Sequence, residues 1–299
     1  MNASPTAAWW QLLRAGNLLT AVSNILAGFL LAKGEWQPLL PLVFLVLSSA
    51  ALYLAGMVLN DVFDLETDRV HRPERPLPSA SIDPQTASLI GWGLIFDGIS
   101  GAAVAAWLIG SWLPLIIGCL LAASIVAYDS VLKSTWFGPV AMGACRALNV
   151  LLGASVVAPS SDKQAVYLYA AVLGIYTIGL TLLARKEAQQ SLESEIKMAG
   201  QIVQFAVVLM LLLAALLTLP KFGWFATWLV CFLAVRVSLY NPLIDPAPAS
   251  VRKAVSQLIT MFIPLDALAC VAAAGWPAGL IVLALLLPTY VATRHVSMT

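Results

Sequence analysis

Residues 38–68, PLLPLVFLVLSSAALYLAGMVLNDVFDLETD, run from an apolar stretch into the densest acidic cluster of the chain, Asn60-Asp61-Val62-Phe63-Asp64-Leu65-Glu66-Thr67-Asp68. The apolar part has the length of a membrane helix, about 20 residues. The acids stand where that helix would leave the bilayer. An all-α membrane protein with a metal site at one face follows from this stretch.

Composition agrees. The 299 residues are 61% hydrophobic and only 10% charged, far from the roughly 25% charge of soluble domains. A net charge of +1 leaves no basic footprint for nucleic acid. Cys119, Cys145, Cys231 and Cys270 are scattered through apolar segments without metal-ligand spacing, so zinc and disulfide roles are not expected. No basic region precedes the first apolar run, which argues against a cleaved secretory signal, and Trp9 and Trp10 suit an interfacial anchor.

Ten segments have spanning length: 16–33, 38–60, 85–109, 112–131, 138–158, 165–184, 199–219, 222–240, 252–275 and 277–293. Gly223, Gly275 and Pro277 suggest turns among the last four, so a polytopic bundle of nine or ten helices is expected, forming a single unit over 1–299. Basic residues sort by loop. Arg14, Arg69, Arg72, Arg75, Lys133, Arg185, Lys186, Lys197, Arg252, Lys253 and Arg294 fall on one side, against Lys33, Lys163 and Lys221 on the other. The positive-inside rule therefore places both termini and the loops after spans 2, 4, 6 and 8 in the cytoplasm, as in a bacterial inner membrane.

On a continuous helix Asp61, Asp64 and Asp68 fall within about 60° of arc, with Glu66 opposite. Three neighbouring carboxylates call for a cation, and hard oxygen ligands at an aqueous face suit Mg²⁺ carried by phosphate. Asn60 adds an amide ligand. A solvated helix extension is the plain alternative. Behind the acids comes Arg69-Val70-His71-Arg72-Pro73-Glu74-Arg75-Pro76-Leu77-Pro78-Ser79, whose guanidinium forks suit diphosphate.

N-D-x-x-D-x-x-x-D followed by R-P-x-R-P-L-P-S resembles the first signature of the UbiA superfamily of intramembrane prenyltransferases. Its details are similar to the branch of chlorophyll synthases, archaeal ether-lipid enzymes and Ebo-cluster prenyltransferases. Gly138-Pro139, Met142-Gly143, Cys145-Arg146 and Leu148-Asn149 are most similar to the Ebo-cluster group. The resemblance implies helices around a central apolar cavity, a prenyl diphosphate donor, a hydrophobic or aromatic acceptor, and Mg²⁺-assisted loss of diphosphate. It implies that Asn60, Asp61, Asp64 and Asp68 hold the metal and that Arg72 and Arg75 contact diphosphate, although either arginine also suits lipid headgroups.

Two further segments follow from the resemblance. Tyr128-Asp129-Ser130-Val131-Leu132-Lys133 matches a segment that lines the family's site, making Lys133 a diphosphate ligand and Tyr128 a cation-facing group; Asp129 and Lys133 also have the spacing of a simple helix-end pair. After span 6 the family carries Asp-x-x-x-Asp, where this chain has Glu187 and Ser191, so a second metal site would use Glu187 and Glu195. An ordinary solvated loop fits that stretch equally.

Charges within spans need partners. Arg146, with Asn149 nearly a turn on, faces diphosphate or pairs with an acid. Asp97 sits beside Gly98 and Gly101 in a close-packing context. Asp266 borders the cavity or pairs with Arg236. A terpene cyclase, or a lipid-binding or transport protein with a degraded second acidic motif, remains the alternative function.

Overall fold

The computed structural model describes residues 5–157, 163–185, 193–217 and 222–295. Among them every regular element is helical. The α-helices are α1 (Pro5–Leu13), α2 (Leu18–Lys33), α3 (Leu39–Phe63), α4 (Leu65–His71), α5 (Pro84–Ile109), α6 (Leu113–Ser130), α7 (Gly138–Ala154), α8 (Gln164–Ala184), α9 (Glu193–Leu209), α10 (Leu211–Leu216), α11 (Phe222–Ile244), α12 (Pro248–Thr260), α13 (Phe262–Ala274), α14 (Trp276–Leu283) and α15 (Leu286–His295). Eight stretches of the described chain are long and apolar enough to cross a membrane, and Gly138–Ala154 and Trp276–Ala292 are shorter apolar helices. These ten overlie the ten predicted segments.

Local chemistry sets the helix ends. Asp83 accepts from the Thr86 amide at 2.8 Å and caps α5 just before Pro84. That bond, with a second from the Thr86 hydroxyl, holds the Asp83 carboxyl below its ordinary range. Gly110 and Gly275 end α5 and α13 with φ of 66° and 85°, which a Cβ disfavours. Gly223 is the second residue of α11, where a Cβ would lie 3.1 Å from the Trp276 ring, and the turn expected there falls on residues 218–221, outside those described.

Close approach of backbones builds the centre. A Cβ on Gly28 of α2 would overlap the Val150 carbonyl of α7, and one on Gly153 would overlap the Ile25 carbonyl. Small residues at this crossing let the two helices meet directly, a common mode in membranes where apolar burial gives helices little mutual attraction. On α5, Gly98 packs on Leu52 of α3, and its carbonyl accepts from Ser48 Oγ at 2.6 Å. Asp97 itself is exposed on the outer face of α5, so the packing that its context suggests belongs to its glycine neighbours. One apolar cluster extends from Ile25 to Val282. Trp9 packs against a smaller cluster beneath the loop after α4, and Trp10 stays exposed.

Candidate active site

Helix α3 does not run through the acidic cluster. It stops at Phe63, and Asp64 joins it to α4, its amide donating to the Asn60 carbonyl at 3.0 Å while its carbonyl accepts from the Asp68 amide at 2.8 Å. Even with this break, Asp61, Asp64 and Asp68 all meet basic groups, whereas Glu66 turns outward to Arg69 at 2.7 Å.

Each aspartate is held by a cation. Arg75 Nη1 lies 2.7 Å from Asp68 Oδ2 and 3.4 Å from Asp61 Oδ1. Arg14 Nη2 reaches Asp61 Oδ1 at 3.1 Å, and Lys133 Nζ reaches Asp64 Oδ1 at 2.7 Å. Asn60 joins both ends of the web, accepting from Lys133 at 3.3 Å and donating to Asp61 at 3.3 Å. The loop after α4 returns Arg75 through a turn in which its amide donates to the Arg72 carbonyl at 3.1 Å, and Leu77 and Ile82 fasten the loop by burial against Leu12 and Val58. Arg72 is exposed, and no ion pair ties it down among the described residues. Arg185 braces the other side by donating to the Lys133 carbonyl at 2.5 Å and the Thr135 carbonyl at 2.7 Å.

Behind this charged mouth lies a half-open cavity between α2, α3, α6 and α7. Leu52, Met57, Leu121 and Ile125 give it an apolar wall, and Tyr53, Tyr128, Asp129, Arg146 and Asn149 are its polar points. Arg146 Nη1 donates to Asn24 Oδ1 at 2.7 Å and to the Thr20 carbonyl at 3.3 Å, and its guanidinium lies 4.0 Å over the Phe262 ring. Asn24 in turn donates to Asp266 at 2.6 Å. Ser23 and Tyr169 complete the shell of that buried acid at 2.5 Å and 2.6 Å. Asp266 therefore takes three neutral donors, not Arg236, which is exposed on α11. Asn149 is engaged too, donating to the Ala21 carbonyl at 2.9 Å and accepting from Ser49 at 2.7 Å.

Sequence reading missed three members of this site. Arg14 counted only as a loop charge, yet its backbone is left-handed at φ 44° and its side chain meets Asp61; a non-glycine in that conformation is a sign of functional constraint. Tyr53 sits about two turns before Asp61 on the same helix, a phase legible in advance. Asp129 was paired with Lys133 as a helix-end alternative, but Lys133 turns to Asp64 instead. Glu187 and Ser191 lie outside the described residues. Glu195 is in the first turn of α9 beside Glu193, which pairs with Lys197 at 2.6 Å.

The donor chemistry fits Mg²⁺ delivered with phosphate. Among the described residues no three acidic, His or Cys side chains converge as a ready metal cage. Mg²⁺ seldom needs one, since it is ordinarily bound by one or two carboxylates together with substrate phosphates. Asp64, with 29% of its side chain exposed, offers the most accessible of the three carboxylates.

Comparison with known proteins agrees with this architecture. A digeranylgeranylglyceryl phosphate synthase of Metallosphaera sedula is 28% identical over 145 residues, 48% of this chain and 49% of that protein. The chain thus spans about half the length of that relative. The apo structure of a UbiA homolog from Aeropyrum pernix K1 superposes with a TM-score of 0.67 at 15% identity, covering 89% of this chain and 97% of the other. A UbiA homolog from Archaeoglobus fulgidus, bound to DMAPP and Mg²⁺, gives 0.61 at 16% identity over 92% and 99%. With residues 21–241 matching the model of the UbiA prenyltransferase family, this integral multi-pass membrane chain belongs to that family.

Proposed function

We propose that the chain is a Mg²⁺-dependent intramembrane prenyltransferase that moves a prenyl group from a prenyl diphosphate to a hydrophobic or aromatic acceptor. The observation that carries this reading is the web of Asp61, Asp64 and Asp68 with Arg14, Arg75 and Lys133 at the mouth of an apolar cavity. Bound Mg²⁺ would neutralise charge developing on the diphosphate. Asp61, Asp64, Asp68 and Asn60 are the residues that would hold it, with Glu187 and Glu195 as a second, weaker carboxylate pair.

The rest of the work falls to this chain's own groups. Arg72, Arg75 and Lys133 bind diphosphate oxygens, donating hydrogen bonds that strengthen as the leaving group gains charge. The apolar wall takes the prenyl chain and keeps water from the reacting carbon. Tyr128 offers its ring face to the developing allylic cation, and Arg146 and Asn149 border the cavity on the α7 side.

The whole of 1–299 acts as one unit in this reading, supported by the apolar cluster that runs from Ile25 to Val282. The basic loops orient the mouth and both termini to the cytoplasm of a bacterial inner membrane. The Gly138–Asn149 pattern favours the Ebo-cluster branch. The lipid bilayer is the surrounding partner, and nucleic acid is not one.

Mass spectrometry of lipids from cells carrying the wild-type chain or Asp64→Ala tests the reading. A prenylated lipid lost in the variant is expected. Identical lipid profiles, together with purified protein that binds no prenyl diphosphate, would remove it.

A further inference from the structure

One charged group in the cavity wall is used neither by the fold nor by the chemistry above. Asp129, in the last turn of α6, is only 3% exposed and lines the cavity beside Gly56, Ile125 and Cys145. Among the described residues its carboxylate has no hydrogen bond or ion pair, and Oδ2 is buried with no partner at all. The closest basic residue in sequence, Lys133, is committed to Asp64 at 2.7 Å. Gly56 faces this carboxylate; a Cβ there would lie 4.0 Å from Asp129 Oδ2.

Burying a carboxylate without donors is costly, and natural proteins rarely leave one so. An otherwise apolar cavity that keeps such a group is missing a donor, and a ligand can bring it. Asp129 lies at the end of α6, four residues before Lys133 of the short 3-10 turn that follows, and on the cavity side of the charged mouth. A diphosphate engaged at the mouth would place the prenyl carbon bonded to it on Asp129's side.

We propose that Asp129 receives the proton of the acceptor and that the acceptor presents a hydroxyl to it. This rests on the prenyl-transfer reading. The bond between the prenyl carbon and the diphosphate oxygen breaks, and its electron pair leaves on diphosphate. A lone pair of the hydroxyl oxygen forms the new carbon–oxygen bond, and the hydroxyl proton passes to the Asp129 carboxylate. A hydroxyl is selected because it supplies the hydrogen bond this carboxylate lacks, whereas a ring C–H does not. An alcohol is also a weak nucleophile until a base takes its proton.

The test uses the full chain in lipid nanodiscs with Mg²⁺, labelled geranylgeranyl diphosphate, and a total lipid extract of the source cells as acceptor pool. Donor binding and donor-only diphosphate release are measured beside transfer of label. Asp129→Asn, close in shape, should keep donor binding and donor-only release within about threefold of wild type. It should lose transfer by about 100-fold or more, the lower end of general-base effects. The wild-type product should carry its prenyl group on oxygen. The proposal is overturned by full transfer in Asp129→Asn, by an equal loss of donor-only release, or by a product prenylated on carbon. A wild-type chain that neither binds the donor nor releases diphosphate fails the prenyl-transfer reading itself, a result distinct from these. Melting curves for Asp129→Asn and Asp129→Ala separate misfolding from loss of chemistry: the removed carboxylate has no protein partner, so both should melt no lower than wild type.

Discussion

Arg75 bridges two aspartates whose side chains are each only 7% exposed, so its charge stabilises the fold of the site as well as any ligand. Removing one member of a buried ion pair typically costs about 3–5 kcal/mol, because the remaining charge is stranded. Asp61 keeps Arg14, so Asp68 bears most of the loss. Arg75→Ala should therefore lower the melting midpoint clearly and weaken prenyl diphosphate binding, both measurable on detergent-solubilised protein. Arg72 makes the contrasting case. Exposed and without an ion pair among the described residues, it should cost less than about 0.5 kcal/mol of stability when changed to Ala. If it contacts diphosphate, Arg72→Ala should still weaken donor binding by about tenfold, in keeping with a lost charged hydrogen bond of about 1.5 kcal/mol; unchanged binding would assign it to lipid headgroups. Sequence showed which acids gather, because spacing reports helical phase. It did not show that Arg14, 47 positions from Asp61, closes the web, because that contact depends on how α1 meets α3.

At the scale of elements, Asp266 joins α2, α8 and α13 through Ser23, Asn24 and Tyr169. Arg146 is attached to this knot through Asn24. Tyr169→Phe removes one of three donors to a fully buried carboxylate and should cost about 1–3 kcal/mol, read as a fall in melting midpoint. The cavity mouth lies on other helices, so donor binding by the folded protein should be unchanged. The polar character of these residues was plain in sequence, but their partners were not, since hydrogen bonds between helices depend on rotation about each axis. The interrupted spans have separate causes. Apolar content marks 199–219 and 252–275 as continuous, while the chain breaks near Met210 and Met261. No proline or glycine stands near Met210, whereas Pro264 lacks the amide that would donate to the Thr260 carbonyl, so the break at Met261 was legible in the sequence.

For the molecule as a whole, charge and aromatic placement define two faces. The loop between α4 and α5 carries Arg72 and Arg75 just after Arg69 of α4, whereas the turn between α5 and α6 carries Gly110, Ser111 and Trp112 with no basic residue. Trp107 and Trp112, 80% and 75% exposed, flank that turn as an interfacial belt would. Cationic loops are retained on the cytoplasmic side, so the site should open there, where a water-soluble diphosphate head and Mg²⁺ are available. Single-cysteine variants in a background lacking the four native cysteines measure this directly. A membrane-impermeant maleimide should label Ser79→Cys in inside-out vesicles only, since Ser79 lies in the arginine-bearing loop. Trp112→Cys should react in right-side-out vesicles only, because α5 crosses the bilayer between the two positions. The reverse pattern would put the diphosphate site on the outer face, and labelling of both from one side would mean that α5 does not span.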